Sequence, residues 1–393
     1  MFKQSLILIY HILLLQLRPT IKKSILVVAE YGKSGGTRTY FFSLIRLLIK
    51  QGMQITVLDN NNLIDSEIEE LIRVNKCNWL KVNFDFWAIN FEKRPEGVSK
   101  KALLNYQLNE LKFWAKVLHV KRFEKIIFSS GYPGLYLYSI LLPVKVLYIS
   151  HSPITSYSDN IFNLLLRFRL SAKKKLVTVS QSAVKDIERY WLYGKKSNYI
   201  NCVYNYYSPK YQVESRQVKK DQFVVLTIGS VELYKNPYFF IEVANVVIKL
   251  NPDKNIKFIW AGEGSLLNNC REKVNDNNSI QFIGFVENVE ALYEEADIYF
   301  QPSILESQGI AVLGAMYHNI ACIVSDQGGL KESVVNNYSG FIVEVDTIDK
   351  AVEKVIILFN DIQMRNLMGS NGNKIYFKKF TQKKWEAQMI NML

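Results

Sequence analysis

The sequence is poor in the residues that staple, kink or anchor a chain. Four of its 393 residues are cysteines, Cys77, Cys202, Cys270 and Cys322, with no CxxC pair and no metal-ligand spacing to a histidine. That scatter excludes a disulfide scaffold and argues against a zinc site; isolated cysteines read as small core hydrophobes in a reducing compartment. Nine prolines exclude a collagen-like chain, and 49% apolar content excludes a disordered tail protein. No apolar run reaches the roughly 18 residues that a spanning helix needs. The nearest, SLILIYHILLLQL from Ser5 to Leu17, is flanked by Lys3 and by Arg18, Lys22 and Lys23. It resembles a signal h-region without a small-residue cleavage site, and the sequence leaves it as either a docking helix or a shallow interfacial anchor. The GxGxxG fingerprint, the P-loop and the DxD motif are absent as well.

What is present in excess is positive charge, 49 Lys and Arg against 36 Asp and Glu, a net +13. It is unevenly spread. Up to Ser208, 30 basic against 14 acidic residues leave +16; beyond it, 19 against 22 leave −3. The clusters RFRLSAKKKL (Arg167 to Leu176) and KRFEK (Lys121 to Lys125) lie beside apolar or aromatic residues. No zinc finger, RRM, KH or homeodomain signature accompanies them, so an anionic membrane surface is the expected partner and nucleic acid is not. A merely solvated basic face is the plain alternative.

After the leader, short β-branched runs alternate with helical patterns. The expected strands of the first half are 24–30, 54–59, 125–131, 145–151 and 176–182, with helices from Thr39 to Gln51 and from Lys101 to Val120. Those of the second half are 224–230, 257–262, 280–285, 298–303 and 320–326. The runs are nearly continuously apolar, as parallel strands covered on both faces require. The pattern predicts two α/β, Rossmann-like, doubly wound units in series. The expected organisation is an apolar leader (1–23), a first domain (24–208), a second (209–376) and a C-terminal helix (377–393) crossing back to the first. The polar stretch Ser208 to Gln222 supplies the boundary. Ligands of such sheets bind at the carboxyl ends of the strands, so two facing sheets would share a cleft.

Several residues fall at those strand ends. Gly35, Gly36 and Thr37 stand between the first strand and its helix, where bare backbone can approach a phosphate or a sugar. His151 ends KVLYISH, although a lone histidine is more often a satisfied structural residue. Lys235 follows VVLTIGS, placed to neutralise phosphate oxygens, although a single loop lysine is more often simply solvated. Glu306 lies between IYFQPS and a helix beginning near Ile310. Gly309 precedes that helix, and the free amides of Ile310 and Ala311 form an anion site. A carboxylate beside an anion is unfavourable unless it contacts hydroxyls, which makes a sugar a natural partner.

The ordered series GS-VELYK, AGEG, FIGFV, ADIYFQPS-x-x-E-S-x-G, IVSDQGGLKESV and SGFIV resembles retaining glycosyltransferase family 4, "glycosyl transferases group 1" in type. The resemblance is strongest from Val224 to Val343; the Gly35-Gly36 loop, His151, VTVSQSA and VYN (203–205) fit it too. It implies the GT-B architecture and transfer of a sugar, with retention, from a nucleotide-activated donor to a glycan or lipid-linked acceptor in cell-surface polysaccharide synthesis. It implies a cytoplasmic protein peripheral to the membrane, with no cofactor or metal beyond the nucleoside diphosphate sugar donor. By the same resemblance Lys235 and the Ile310 and Ala311 amides hold the diphosphate, and Glu306 holds the donor sugar. Gly284, Phe285 and Val286 lie near the base, Ser230, Ser307 and Gly309 line the donor site, and His151 and the Gly35–Thr37 loop face the acceptor. Two positions depart from the pattern. The second glutamate falls at Gly314 and the usual arginine at Ser230, each loss worth about 1.5–3 kcal/mol of charged hydrogen bonding; Gln308 also replaces an aromatic residue. A catalytically silent homologue that binds a glycan or a partner enzyme is the alternative.

Overall fold

The computed structural model describes residues 21–29, 35–60, 63–82, 114, 117, 123–130, 139, 142–152, 168–211, 221–274 and 277–393. The chain divides into two compact units. The first comprises Met1–Thr178, Val184–Cys202 and Met392–Leu393; the second comprises Val179–Ala183 and Val203–Asn391. The leader up to residue 20 and most of the 101–120 segment lie outside the described residues, as do Lys121, Arg122 and Arg167 of the two basic clusters.

In the first unit the described elements run β1 (Ser24–Ala29), α1 (Gly36–Lys50), β2 (Gln54–Asn60), α2 (Ser66–Val74), β3 (Asn78–Val82), β4 (Lys125–Phe128), β5 (Lys145–Ser150), β6 (Lys174–Thr178), α3 (Gln181–Tyr190, its residues up to Ala183 counted with the second unit) and β7 (Ile200–Cys202). The strands form one sheet in the order β3-β2-β1-β4-β5-β6-β7, and every pairing is parallel. All six residues of β1 and all four of β4 are buried, which explains their unbroken apolar runs. The edge strands β3 and β7 do not stand out in the sequence. NWLKV is half exposed and INC is three residues long, so neither carries a continuous apolar signal.

The second unit runs β8 (Phe223–Ile228), a 3-10 turn (Leu233–Lys235), α4 (Pro237–Leu250), β9 (Ile256–Ala261), α5 (Leu267–Val274), β10 (Ile280–Gly284), α6 (Val289–Glu295), β11 (Ile298–Gln301), α7 (Ile310–Tyr317), β12 (Ala321–Ser325), α8 (Leu330–Ser333), β13 (Gly340–Val343), α9 (Ile348–Asn360), α10 (Ile362–Lys379) and α11 (Gln382–Met392, its last residue counted with the first unit). Its parallel sheet has the order β10-β9-β8-β11-β12-β13. Successive residues of β8 feed two different cores. Val225 packs with α4 and α9 residues such as Phe240 and Val355, while Leu226 packs with α7 and α10 residues such as Leu313 and Tyr376. Phe240, fully buried, touches Phe258, Trp260, Phe282 and Phe300 with ring centroids 5.2–6.1 Å apart.

Two of the lysines behind the basic excess are internal. Lys174 donates to the carbonyls of Leu142 and Val144, both at 2.7 Å, and Lys125 donates to that of Met392 at 3.2 Å. Each belongs to one of the two basic clusters, so part of that charge secures strand ends rather than facing solvent. Phe168 (71% exposed) and Arg169 remain outside. Among the described residues, no helix is long and apolar enough to cross a membrane.

Emptying the centre of the larger core measures the fold directly. Phe240→Ala is expected to destabilise the second unit by about 3–5 kcal/mol, whereas Phe285→Ala, at an exposed position, changes stability by less than about 0.5 kcal/mol. Urea unfolding followed by circular dichroism checks both.

Candidate functional site

The sheet order of the second unit puts β8 beside β11, where the chain order reverses. Loops leaving the carboxyl ends of such a pair diverge to opposite faces and open a crevice, the usual ligand position of an open α/β sheet. Lys235, Glu306, Gly309, Ile310 and Ala311 all lie on these two loops or on the helix starts that follow them.

The loops are tied to each other. The amides of Ile304 and Leu305 donate to the Tyr234 carbonyl at 2.8 and 3.2 Å, and the Tyr234 hydroxyl lies 2.8 Å from Ser230 Oγ. The next residue, Lys235, donates from Nζ to Glu306 Oε2, with both side chains largely buried. Asn236, left-handed at φ 62°, then turns the chain into α4, whose first residue is Pro237, a favoured helix-starting residue. On the opposite side Gly309, at φ 81°, caps α7. The Ile310 and Ala311 amides belong to the first turn of α7 and have no intrahelical acceptor. A cation, a carboxylate and a helix start with unpaired donors therefore share one crevice.

A buried hydrogen-bond chain fixes the floor. The Tyr299 hydroxyl accepts from the Ile228 amide at 3.2 Å and donates to Gln301 Oε1 at 2.7 Å. Gln301 Nε2 donates to Ser303 Oγ at 2.8 Å, and Ser325 Oγ donates to the Ser303 carbonyl at 2.6 Å. Burial pushes the Tyr299 phenol far above its usual range, so it stays a neutral donor. Beside the floor, Gly328 is left-handed at φ 51°, and a Cβ there would stand 1.8 Å from the Glu306 carbonyl oxygen; no other residue lets the two backbones approach so closely.

The other donor-side residues occupy different surroundings. Gly284 ends β10 with its carbonyl accepting from the Gly262 amide at 2.7 Å, and Phe285 beyond it is 63% exposed beside half-buried Val286. Ser307 is buried, and a Cβ on Gly329 would stand 2.1 Å from its carbonyl oxygen. Gly314 is buried in α7, and a Cβ there would lie 2.5 Å from the Tyr293 hydroxyl, which donates to the Ala311 carbonyl at 2.8 Å. The position is closed by a tyrosine instead of being an empty socket for an acidic side chain.

In the first unit, Gly35 (φ 99°) caps α1, and the Thr39 amide donates to its carbonyl at 3.3 Å; Gly36 and Thr37 form the first turn. Residues 30–34 of that loop lie outside the described residues. His151 follows β5 with Nε2 3.1 Å from the Ser129 carbonyl and its ring edge-on to Tyr40. Because a carbonyl only accepts, Nε2 carries the proton. Burial, opposed by that hydrogen bond, lowers the imidazole pKa to about 4, so it is neutral at pH 7.

Three side chains make long-range anchors that the sequence does not signal. Gln308 accepts the Asn205 amide at 2.7 Å; Glu290 accepts the Tyr207 hydroxyl at 3.1 Å and the Lys210 amide at 2.7 Å; Glu332 accepts the Gln181 and Ser182 amides at 2.8 and 2.6 Å. All three bind backbone distant in sequence, which no local spacing announces. Arg38 is equally silent in the sequence; it donates to Asp65 at 2.5 Å and to Glu67 at 2.6 Å, and Asp65 with Glu67 raises its already high pKa. Among the described residues, no group of three or more His, Cys, Asp or Glu side chains could hold a metal ion.

Two parallel, doubly wound units with this crevice define the GT-B fold. The chain superposes on Anabaena HepE, crystallised with UDP and glucose, with a TM-score of 0.69 at 15% identity over 93% of this chain and 98% of that one. Residues 211–375 match the family model "Glycosyl transferases group 1". The chain is 28% identical over 163 residues, 40% of its length and 42% of the relative's, to the UDP-Gal:alpha-D-GlcNAc-diphosphoundecaprenol alpha-1,3-galactosyltransferase of Escherichia coli. It is 25% identical over 354 residues, 88% of its length and 92% of the relative's, to an uncharacterized glycosyltransferase of Haemophilus influenzae. The chain thus has the fold of solved glycosyltransferases, and its second unit is similar in sequence to their group 1 domain.

Two results are expected from this geometry. Gly314→Glu should destabilise the second unit by about 1–3 kcal/mol through overpacking on Tyr293, and adding Tyr293→Ala should not increase that loss by the full cost of the tyrosine; thermal melts of both variants decide it. For His151, the unfolded chain binds more protons than the folded one between pH 6.5 and 4, so stability falls as pH drops through that window. His151→Asn should remove about 2 kcal/mol of that pH dependence, read from urea midpoints at pH 7 and pH 4.5.

Proposed function

We propose that the protein transfers a sugar, with retention, from a nucleoside diphosphate sugar held by the second unit to a lipid-linked or glycan acceptor in cell-surface polysaccharide synthesis. The observation that carries this reading is the Lys235–Glu306 pair beside the unpaired amides at the start of α7. The similarity of the matched segment to a transferase acting on a diphosphoundecaprenol-linked sugar, and of the fold to a protein crystallised with UDP and glucose, supports the choice of donor and acceptor.

The chemistry follows from where charge develops. Breaking a glycosidic phosphate bond leaves negative charge on the departing diphosphate and an oxocarbenium-like sugar, and fixed dipoles aimed at that charge lower the barrier most. The Ile310 and Ala311 amides and the Lys235 ammonium meet the leaving phosphates, and Glu306 accepts hydrogen bonds from the donor sugar's hydroxyls. Ser230 and Ser307 border the phosphate path, and Gly284, Phe285 and Val286 the base. His151 enters as a neutral, hydrogen-bonding imidazole, with the Gly35–Thr37 loop, on the acceptor side. The exposed Phe168 and Arg169, with the neighbouring basic residues, suit an anionic membrane surface that carries a lipid-linked acceptor.

A thermal-shift screen of nucleoside diphosphates and their sugars tests the reading first. One of them at 100 times its Kd should stabilise the protein by about 2.7 kcal/mol, and silence across the panel would reject it. With the stabilising donor in hand, Glu306→Ala should abolish transfer while the free protein keeps the far-UV circular dichroism of wild type; undiminished turnover would remove Glu306 from the site. Flotation with anionic liposomes should be lost at high salt.

A further inference from the structure

We propose that Glu306 selects the intact donor against the bare nucleoside diphosphate, and that it does so by competing for Lys235. The inference rests on the reading of the second unit as a donor site and adds how that site distinguishes its substrate from its product.

The ion pair is held together by the backbone. Ile304 and Leu305 donate to the Tyr234 carbonyl, so the segment leading to Glu306 is bonded to the residue before Lys235. The Gly329 amide donates to the Glu306 carbonyl at 3.3 Å, and Gly328 packs against the same oxygen. The two charged side chains are 14% and 13% exposed, so neither is well screened by water. A negative group arriving at the start of α7 must share Lys235 with Glu306, and gains its full charge only by drawing it away from that carboxylate. That exchange leaves a largely buried carboxylate without its cation and next to another anion, an arrangement that is strongly unfavourable.

A nucleoside diphosphate sugar resolves the conflict, because its sugar hydroxyls donate to Glu306 while its phosphates take Lys235. A bare nucleoside diphosphate brings the phosphates and an added negative charge but no hydroxyl at that end. Once the sugar has left, Glu306 reclaims Lys235 and the product is expelled. The ligand-free pair is thus the state to which the site returns after each turnover, and Glu306 sets the preference for donor over product.

The test is isothermal titration of the nucleoside diphosphate found in the thermal-shift screen, and of its sugar, without acceptor, into wild-type protein and Glu306→Gln. Wild type should bind the donor tighter than the diphosphate by about fivefold or more. Glu306→Gln keeps the shape and removes the charge; it should bind the diphosphate about fivefold tighter than wild type and the donor no tighter, so the preference collapses. Diphosphate affinity unchanged or weakened in Glu306→Gln overturns the proposal, as does a wild-type protein that binds diphosphate and donor equally, a result that needs no variant to fold. Absence of binding by any nucleotide to wild type would reject the donor-site reading itself, and the selection with it.

Discussion

The hydrogen-bonded chain Tyr299–Gln301–Ser303, joined by Ser325, is the constraint on which the candidate site depends. It bonds the carboxyl ends of β8, β11 and β12 to one another where a parallel sheet must release its strands into loops. Each of these groups is buried and paired, and losing any one partner leaves the others unsatisfied at a cost of about 1–3 kcal/mol. The rigidity is passed upward through the Tyr234 carbonyl, which binds the loop after β11 to the loop after β8. Lys235 and Glu306 meet because their backbones have no freedom to part. The ion pair is therefore a consequence of the floor beneath it.

The same logic separates what was legible in the sequence from what was not. Central strands such as SILVVA and FVVLTI announce themselves because helices cover both faces of a parallel sheet and leave no polar alternation. The short edge strands carry no such signal. Lys235, Glu306 and the start of α7 could be read as candidates because each sits a few residues beyond a strand, where the fold class alone predicts a ligand. The closure of Gly314 by Tyr293 could not be read, since the two are 21 positions apart and meet only when α6 and α7 lie on the same face. A missing glutamate looked in the sequence like a simple loss; in the structure it is a glycine and tyrosine that fit together. Gln308 likewise proves to be a backbone anchor for Asn205, which gives the departure from an aromatic residue a local purpose.

Charge needs similar care. The +16 of the first half of the chain reads as one electrostatic feature, yet Lys125 and Lys174 commit their ammonium groups to carbonyls inside the first unit. Burial lowers the pKa of Lys174 to about 7, a cost accepted to secure the strand that carries it. The second half, net −3, contains the crevice proposed to hold an anion. The donors proposed for it are local, two amides and one lysine, and such a site does not require a positive net charge. The basic excess that remains outside is available for a separate task, one that a membrane surface would use.

As proposed, the α7 start and the Lys235–Glu306 loops form a nucleoside diphosphate site within the second unit. Amide hydrogen exchange followed by mass spectrometry, with and without a saturating nucleoside diphosphate sugar, tests it most directly. Slowed exchange is expected in the segments holding Tyr234–Lys235 and Ser303–Leu313, with the outer faces of α9 and α10 unchanged. Nucleotide binding that protects other segments and leaves these two untouched would contradict it.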